Sequence, residues 1–322
     1  MSPTQHQVEV VPVCTLSNGH TMAVALHWFR GSGNGPTLGV LAGSHGDEPL
    51  GTEISRQLCL RVGPSSFRGT LVVLPLANPY GFQALTRNTP LDMSNLNRVF
   101  PGDSDGMLTE QLAAVISARF VQACDVVVDL HSGGVFPVVD YAYIGDDSDL
   151  PLSFGTDLLY HHYGPPGSLS EYARGLGKQW VVAELGGGGL ANERFVNRGL
   201  RGVSNIMKRV GMVDGEPDLP AEQLVVEETR ILRPHHGGIL DSALVLEHLG
   251  TNVPRGTRLG TIYNSLTFEE LEVIEAPFEQ SAMILLRQSV TKVDPGDFAY
   301  IVGDATHGRR VARGARWPST DG

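Results

Sequence analysis

LGVLAGSHGDEPLG, residues 38–51, decides how this chain is read. An apolar run of strand character stops at Gly43 and Ser44, and His45 and Glu48 follow before Pro49 opens a helix. Proline suits a helix's first turn, where its missing N–H leaves no bond unmade. A histidine and a carboxylate three residues apart, just past a buried strand, can converge on one cation. The same spacing recurs at His6 and Glu9, in a polar stretch without a strand-to-helix turn. Spacing alone is therefore weak, but position is informative. Open α/β sheets gather ligands outside the carboxyl ends of their strands, and only His45 and Glu48 sit at such an end.

Outward from this stretch, short apolar runs alternate with amphipathic ones as far as residue 212. The pattern predicts a helix over 49–61, a strand at 71–77 and a helix over 109–123. It continues with strands at 126–130 and 179–185 and a basic amphipathic helix over 196–211. Apolar runs without polar alternation fit strands covered on both faces by helices, hence an open α/β sheet. After residues 214–220 the runs become short and are separated by Gly, Pro and Asn, so 222–304 read as a small all-β domain. The expected organisation is a catalytic domain over 1–213, the β domain over 222–304 and a mobile tail over 305–322.

Composition narrows the partners. A 322-residue chain with 41% hydrophobic residues can bury a sizeable core. A net charge of −11 argues against nucleic acid or an anionic membrane as principal partner. No apolar run approaches the ~20 residues that cross a bilayer. The start MSPTQHQVEV lacks the pattern of a signal peptide. Cys14, Cys59 and Cys124 are odd in number and widely spaced, which fits neither a disulfide framework nor a Cys-type zinc site. A cytoplasmic protein without membrane or nucleic-acid partners is expected, and homo-oligomerisation is left open.

A third ligand is supplied by VVVDLHSGG (126–134). His131 directly follows a buried strand, and Asp129 lies two residues earlier on the same side, where it can orient the ring. Two histidines and one carboxylate, with a position left for water, match a catalytic rather than a structural zinc site. Taken singly, each histidine reads more readily as a capping or turn residue; both at strand ends, with the partners below, reverse that balance. The pairs His161/His162 and His235/His236 lack a strand-end context and read as surface or loop residues. Glu184 ends the strand VVAEL before four glycines, 186–189. There it can serve as a general base, or simply bond the backbone N–H groups exposed by that loop. Residues 78–102 form a long polar loop carrying Arg87, Asn97 and Arg98. Its bulky Phe82, Leu96 and Phe100 argue for order. The arginines offer planar forks for a carboxylate or an oxyanion. The alternative is that they pair with Asp92 and Asp103 on the surface.

HGDE, NP…R…D…NLNRVFPG, DLHSGG and ELGGGG, in this order over 38–212, resemble the succinylglutamate desuccinylase/aspartoacylase family, relatives of the zinc carboxypeptidases. The resemblance implies a carboxypeptidase-like α/β domain with a small C-terminal β domain. It implies one Zn2+ per chain on His45, Glu48 and His131, with Glu184 as general base. Arg87 would polarise the acyl carbonyl, and Asn97 and Arg98 would hold a substrate carboxylate. The implied activity removes an acetyl or succinyl group from a small N-acylated amino acid. Within the family, ELGGGG followed by a basic helix is most similar to the N-acetyl-diaminobutyrate deacetylase type. Family members also use a later arginine and tyrosine, for which Arg174 and Tyr263 are candidates that no motif fixes. The C-terminal stretch resembles a biotinyl/lipoyl-type barrel sandwich, but its hairpin carries Glu269, Glu270 and Glu272 where a carrier needs lysine. A structural or site-shaping role is the expectation. Two competing readings are a metallocarboxypeptidase acting on short peptides and a non-catalytic binder of an anionic metabolite.

Overall fold

The computed structural model describes residues 5–62, 67–187, 192–287 and 290–317. The chain opens with a long hairpin, β1 (Gln5–Thr15) and β2 (Thr21–Arg30). Next come β3 (Thr37–Ala42), α1 (Pro49–Val62), β4 (Thr70–Leu74), α2 (Pro79–Ala84), α3 (Leu108–Arg119) and β5 (Val126–His131). They are followed by β6 (Pro137–Ile144), β7 (Leu158–His161), α4 (Leu169–Gly175), β8 (Gln179–Gly187) and α5 (Glu193–Arg209).

The C-terminal part is built from strands. These are β9 (Glu222–Val226), β10 (Thr229–Leu232), β11 (Gly238–Ser242), β12 (Asn252–Pro254), β13 (Arg258–Tyr263) and β14 (Glu270–Glu275). The last four are β15 (Gln280–Arg287), β16 (Val290–Val293), β17 (Tyr300–Asp304) and β18 (Arg309–Ala312).

A large mixed sheet runs in the order β1-β2-β4-β3-β5-β8-β6-β15-β17-β10, and β14-β13-β11-β16 form a separate antiparallel sheet. β4, β3, β5 and β8 are mutually parallel, so their carboxyl ends share one edge. Period-two geometry sends alternate residues of these strands to opposite faces. Leu38, Val40, Val126, Val128, Val181 and Ala183 meet α1 and α5 on one side. Leu41, Val127, Trp180 and Val182 meet α3 and α4 on the other. This is the predicted open sheet with helices on both faces.

Two features depart from the sequence reading. β2 extends the sheet antiparallel to β4 and β1 pairs antiparallel with β2 at the edge, two strands that the sequence reading does not name. The expected mobile tail instead carries β18, paired with β9, and buries Trp317. Its arginines bond Glu222 and Glu227, which a composition-based reading takes for solvated charge. The C-terminal strands also continue the main sheet, since β15 pairs with β6 through Leu285 opposite Val139.

The loop between β3 and α1, which carries His45 and Glu48, is held by its neighbours. Gly46 donates to the Thr86 carbonyl at 2.9 Å, and a Cβ at Gly46 would fall 1.8 Å from the Gly81 carbonyl carbon. Only glycine allows that approach. Asn78, fully buried, caps α2 by accepting from the Gly81 N–H at 2.9 Å. Its amide also donates to Thr89 Oγ1 at 3.1 Å and to the Ser44 carbonyl at 3.4 Å. Asn78→Ala would leave these groups buried without partners, a loss of about 2–3 kcal/mol. A urea midpoint lowered to match, with unchanged slope, is the expected result.

Candidate metal centre and its cavity

Parallel register brings the sites together. Ala42 lies opposite Leu130 on β5, and His131 opposite Glu184 on β8. His45, Glu48 and His131 are each almost fully buried, and one ligand atom from each lies within 4.8 Å of the others. Glu48 sits in the middle. Its Oε1 is 2.8 Å from His45 Nδ1, and its Oε2 is 2.9 Å from His131 Nδ1. The Ser132 N–H donates to Oε2 at 3.1 Å.

The outward nitrogens set the tautomers. His131 Nε2 meets Asp129 Oδ2 at 3.0 Å, as their shared strand face required. His45 Nε2 meets Asn95 Oδ1 at 3.1 Å, and that oxygen also accepts from the Asn97 N–H, which fixes the orientation of the amide. Asp129 Oδ2 and Asn95 Oδ1 are acceptors, so the proton each ring keeps when a cation takes Nδ1 is the one on Nε2. This arrangement orients metal-bound imidazoles and strengthens them as ligands.

The electrostatics agree. Burial raises the Glu48 pKa, but His45 and His131 outweigh it and hold the carboxyl well below its ordinary range. Burial lowers His131, yet Asp129 and Glu48 outweigh that and hold its pKa well above the ordinary value. A buried carboxylate with positive charge on its flank is stable only while that charge is present. A divalent cation supplies it equally well and displaces the Nδ1 proton. Two imidazole nitrogens and one carboxylate oxygen, each braced from outside, suit one metal ion.

Glu48, but neither histidine of the triad, lines a cavity of about 590 Å3. Glu184 lines it next to Glu48, Arg87, Arg98 and Ser132. Glu184 stands opposite Tyr141 of β6, and burial pushes its carboxyl up to about 8. A larger recess, about 680 Å3, lies at the other end of the strands around Asp125 and Gln179, away from every candidate residue.

The loop arginines do not pair with Asp92 or Asp103. Asp92 accepts from the N–H and Oγ1 of Thr109, both at 2.7 Å, and so anchors α3. Arg87 donates to Glu48 Oε1 at 3.0 Å, and Arg98 to the Asn97 carbonyl at 2.6 Å. Burial and Arg87 lower the Arg98 pKa, so a bound anion would relieve like-charge repulsion. The Asn97 side chain is committed to the fold: Oδ1 accepts from the Leu169 N–H at 2.8 Å, and Nδ2 rests 3.2 Å from His131 Nε2.

His162 was read as a loop residue but lines the cavity beside Tyr143 and Tyr160. It sits just after β7, a strand too short to be recognised in sequence. Arg174 stacks on Tyr163 and Tyr263 lies in the separate antiparallel sheet; neither lines the cavity. Gly188 and Gly189 lie outside the described residues. The second His-x-x-Glu copy is surface decoration on β1, with His6 stacked on Phe29 and Glu9 bonded to Trp28. Among the described residues, no helix is long and apolar enough to cross a membrane.

With this geometry in place, similarity to known proteins can be weighed. The sequence model of the succinylglutamate desuccinylase/aspartoacylase catalytic domain matches residues 34–210. An N-alpha-acetyl-L-2,4-diaminobutyric acid deacetylase from Halomonas elongata is 28% identical over 288 residues, covering 84% of this chain and 83% of that protein. A succinylglutamate desuccinylase structure from Silicibacter sp. TM1040 superposes with a TM-score of 0.82 at 22% identity, covering 94% and 95% of the two chains. The product-bound ectoine utilization protein EutE (DoeB) from Ruegeria pomeroyi gives 0.80 at 24% identity, covering 94% and 96%. At these identities the structural likeness establishes the fold alone.

Two outcomes are expected. Asp129→Asn removes the anionic partner of His131 and should weaken metal binding about 10- to 100-fold in a chelator competition. For the metal-free chain, Glu184 is raised from 4.5 to about 8, so the folded state keeps a proton that the unfolded state loses. That stabilisation is present below pH 4.5 and lost as pH rises through about 8. Melting temperatures across this window should fall for the wild type relative to Glu184→Gln and run parallel above it.

Proposed function

This chain belongs to the succinylglutamate desuccinylase/aspartoacylase family, and from that premise we propose that it is a zinc-dependent deacylase of N-acylated amino acids. N-acetyl-L-2,4-diaminobutyrate is the first substrate to test, on the strength of the Halomonas relative. The observation that carries the reading is the convergence of His45, Glu48 and His131, with Glu48 lining a cavity together with Glu184, Arg87 and Arg98.

His45, Glu48 and His131 would hold the zinc ion, which when bound supplies Lewis acidity to a water molecule and to the acyl carbonyl. Glu184 takes the proton from the attacking water and returns it to the departing amine, a role that suits a carboxyl of raised pKa. Arg87 stabilises the oxyanion that develops on the carbonyl oxygen, a role supported by its half-exposed guanidinium beside Glu48. Arg98 pairs with the substrate carboxylate, and Asn97 fixes the backbone that presents it. Thr229, Ile284 and Phe298 line the cavity from the C-terminal strands. This closure favours a small acylated amino acid over the end of a peptide, the substrate of the carboxypeptidase reading.

Glu184→Gln keeps the ligand set and should bind zinc as the wild type does, while turnover falls about a thousandfold or more. The reading fails if the zinc-loaded wild type hydrolyses none of a panel of N-acetyl, N-succinyl and N-formyl amino acids. Faster cleavage of short peptides than of acylated amino acids would favour the carboxypeptidase.

A further inference from the structure

The cavity has two unlike halves. The ionic half, with Glu48, Glu184 and the two arginines, leaves a second wall unused. That wall is a row of aliphatic side chains crossing four adjacent strands. Val139 on β6 lies opposite Leu285 on β15, Leu285 opposite Ile301 on β17, and Ile301 opposite Ile231 on β10. All four line the cavity. Neighbouring strands are spaced by about 4.8 Å, so the row is roughly 14 Å long. It begins two residues along β6 from Tyr141, the neighbour of Glu184. Burial decreases along it: Val139 and Leu285 are buried, whereas Ile231 is 44% exposed. Phe136 and Phe298, partly exposed, flank the row at the cavity mouth. No charged side chain interrupts it.

An acetyl group and a short polar side chain would leave this floor uncovered. We propose that it is a subsite for an apolar substituent of the substrate, either a longer acyl chain or an aliphatic or aromatic amino-acid side chain. The substituent extends from the scissile amide across β15 and β17 toward Ile231. Burying each methylene on such a surface improves binding about fourfold. Specificity then comes from the C-terminal strands, while the chemistry stays with the ligand loops. The position of the subsite next to the scissile bond rests on the deacylase reading; the apolar floor itself does not.

Two measurements test it. The first titrates butyrate, hexanoate and octanoate into the 322-residue chain by calorimetry, with no turnover required. Affinity should tighten about fourfold per methylene. Ile231→Ser, at a partly exposed position that the fold tolerates, should remove the increment of the outermost carbons. Equal affinity across the series, or the same increments in the variant, overturns the subsite. The second compares kcat/KM for two series, N-acetyl derivatives of alanine, norvaline, norleucine and phenylalanine, and acetyl, butyryl and hexanoyl alanine. The series that climbs identifies which side of the amide faces the floor, and a decline in both overturns the proposal. Hydrolysis of neither series, with the carboxylate increments intact, would reject the deacylase reading but retain the apolar subsite.

Discussion

The site depends on a single buried carboxylate. Glu48 lies at the start of α1 between two imidazoles, with Arg87 and the Ser132 N–H on its remaining sides. An ionised carboxylate placed there without compensation would cost several kcal/mol, so the surrounding chain is arranged to supply positive charge and keep it in place. The His131 ring is fixed by Asp129, the His45 ring by Asn95, and Asn95 by its bond to the Asn97 backbone. The 78–102 loop is therefore more than a carrier of arginines. It provides the outer support of His45 and His131, and α2 and the turn at Leu96–Arg98 give that segment its own internal order.

Much of this was legible in the sequence, for physical reasons. Parallel strands buried on both faces leave unbroken apolar runs, so β3, β5 and β8 were visible along with the residues at their ends. The Asp129–His131 contact followed from the two-residue period of a strand. What escaped notice lacked a periodic signal. β6 and β7 carry tyrosines, Asp140 and His161, and His162, just past β7, belongs to the cavity. The arginines of the long loop offered two pairings that only geometry could separate, because Asp92 was already engaged by Thr109. The final strand was hidden by its charge, since Arg309 and Arg310 resemble a solvated tail until Glu222 and Glu227 are placed beside them.

The two halves of the chain share one sheet yet differ in character. Up to β8 the strands are mostly parallel, and their ends deliver polar side chains to one edge. Beyond β6, β15, β17 and β10 run antiparallel to their neighbours and deliver aliphatic side chains to the same cavity. A domain boundary drawn from composition falls near residue 220, but the hydrogen-bonded ladder crosses it. The cavity wall is thus as rigidly registered to Glu184 as neighbouring strands can be.

That ladder also constrains how the protein is made. The pairing of Val139 with Leu285 joins positions roughly 150 residues apart, and contacts of such long separation close late and slowly. A chain leaving the ribosome has its ligand loops, and strands β3, β5 and β8 to present them, well before β15 is synthesised. Until then the Pro137–Val139 stretch of β6 lacks its partner strand on one side and leaves the apolar face of Val139 open to solvent. The newborn protein thus passes through a stage in which its ligand set is complete but its fourth wall is open, and that stage is when it most needs protection from aggregation.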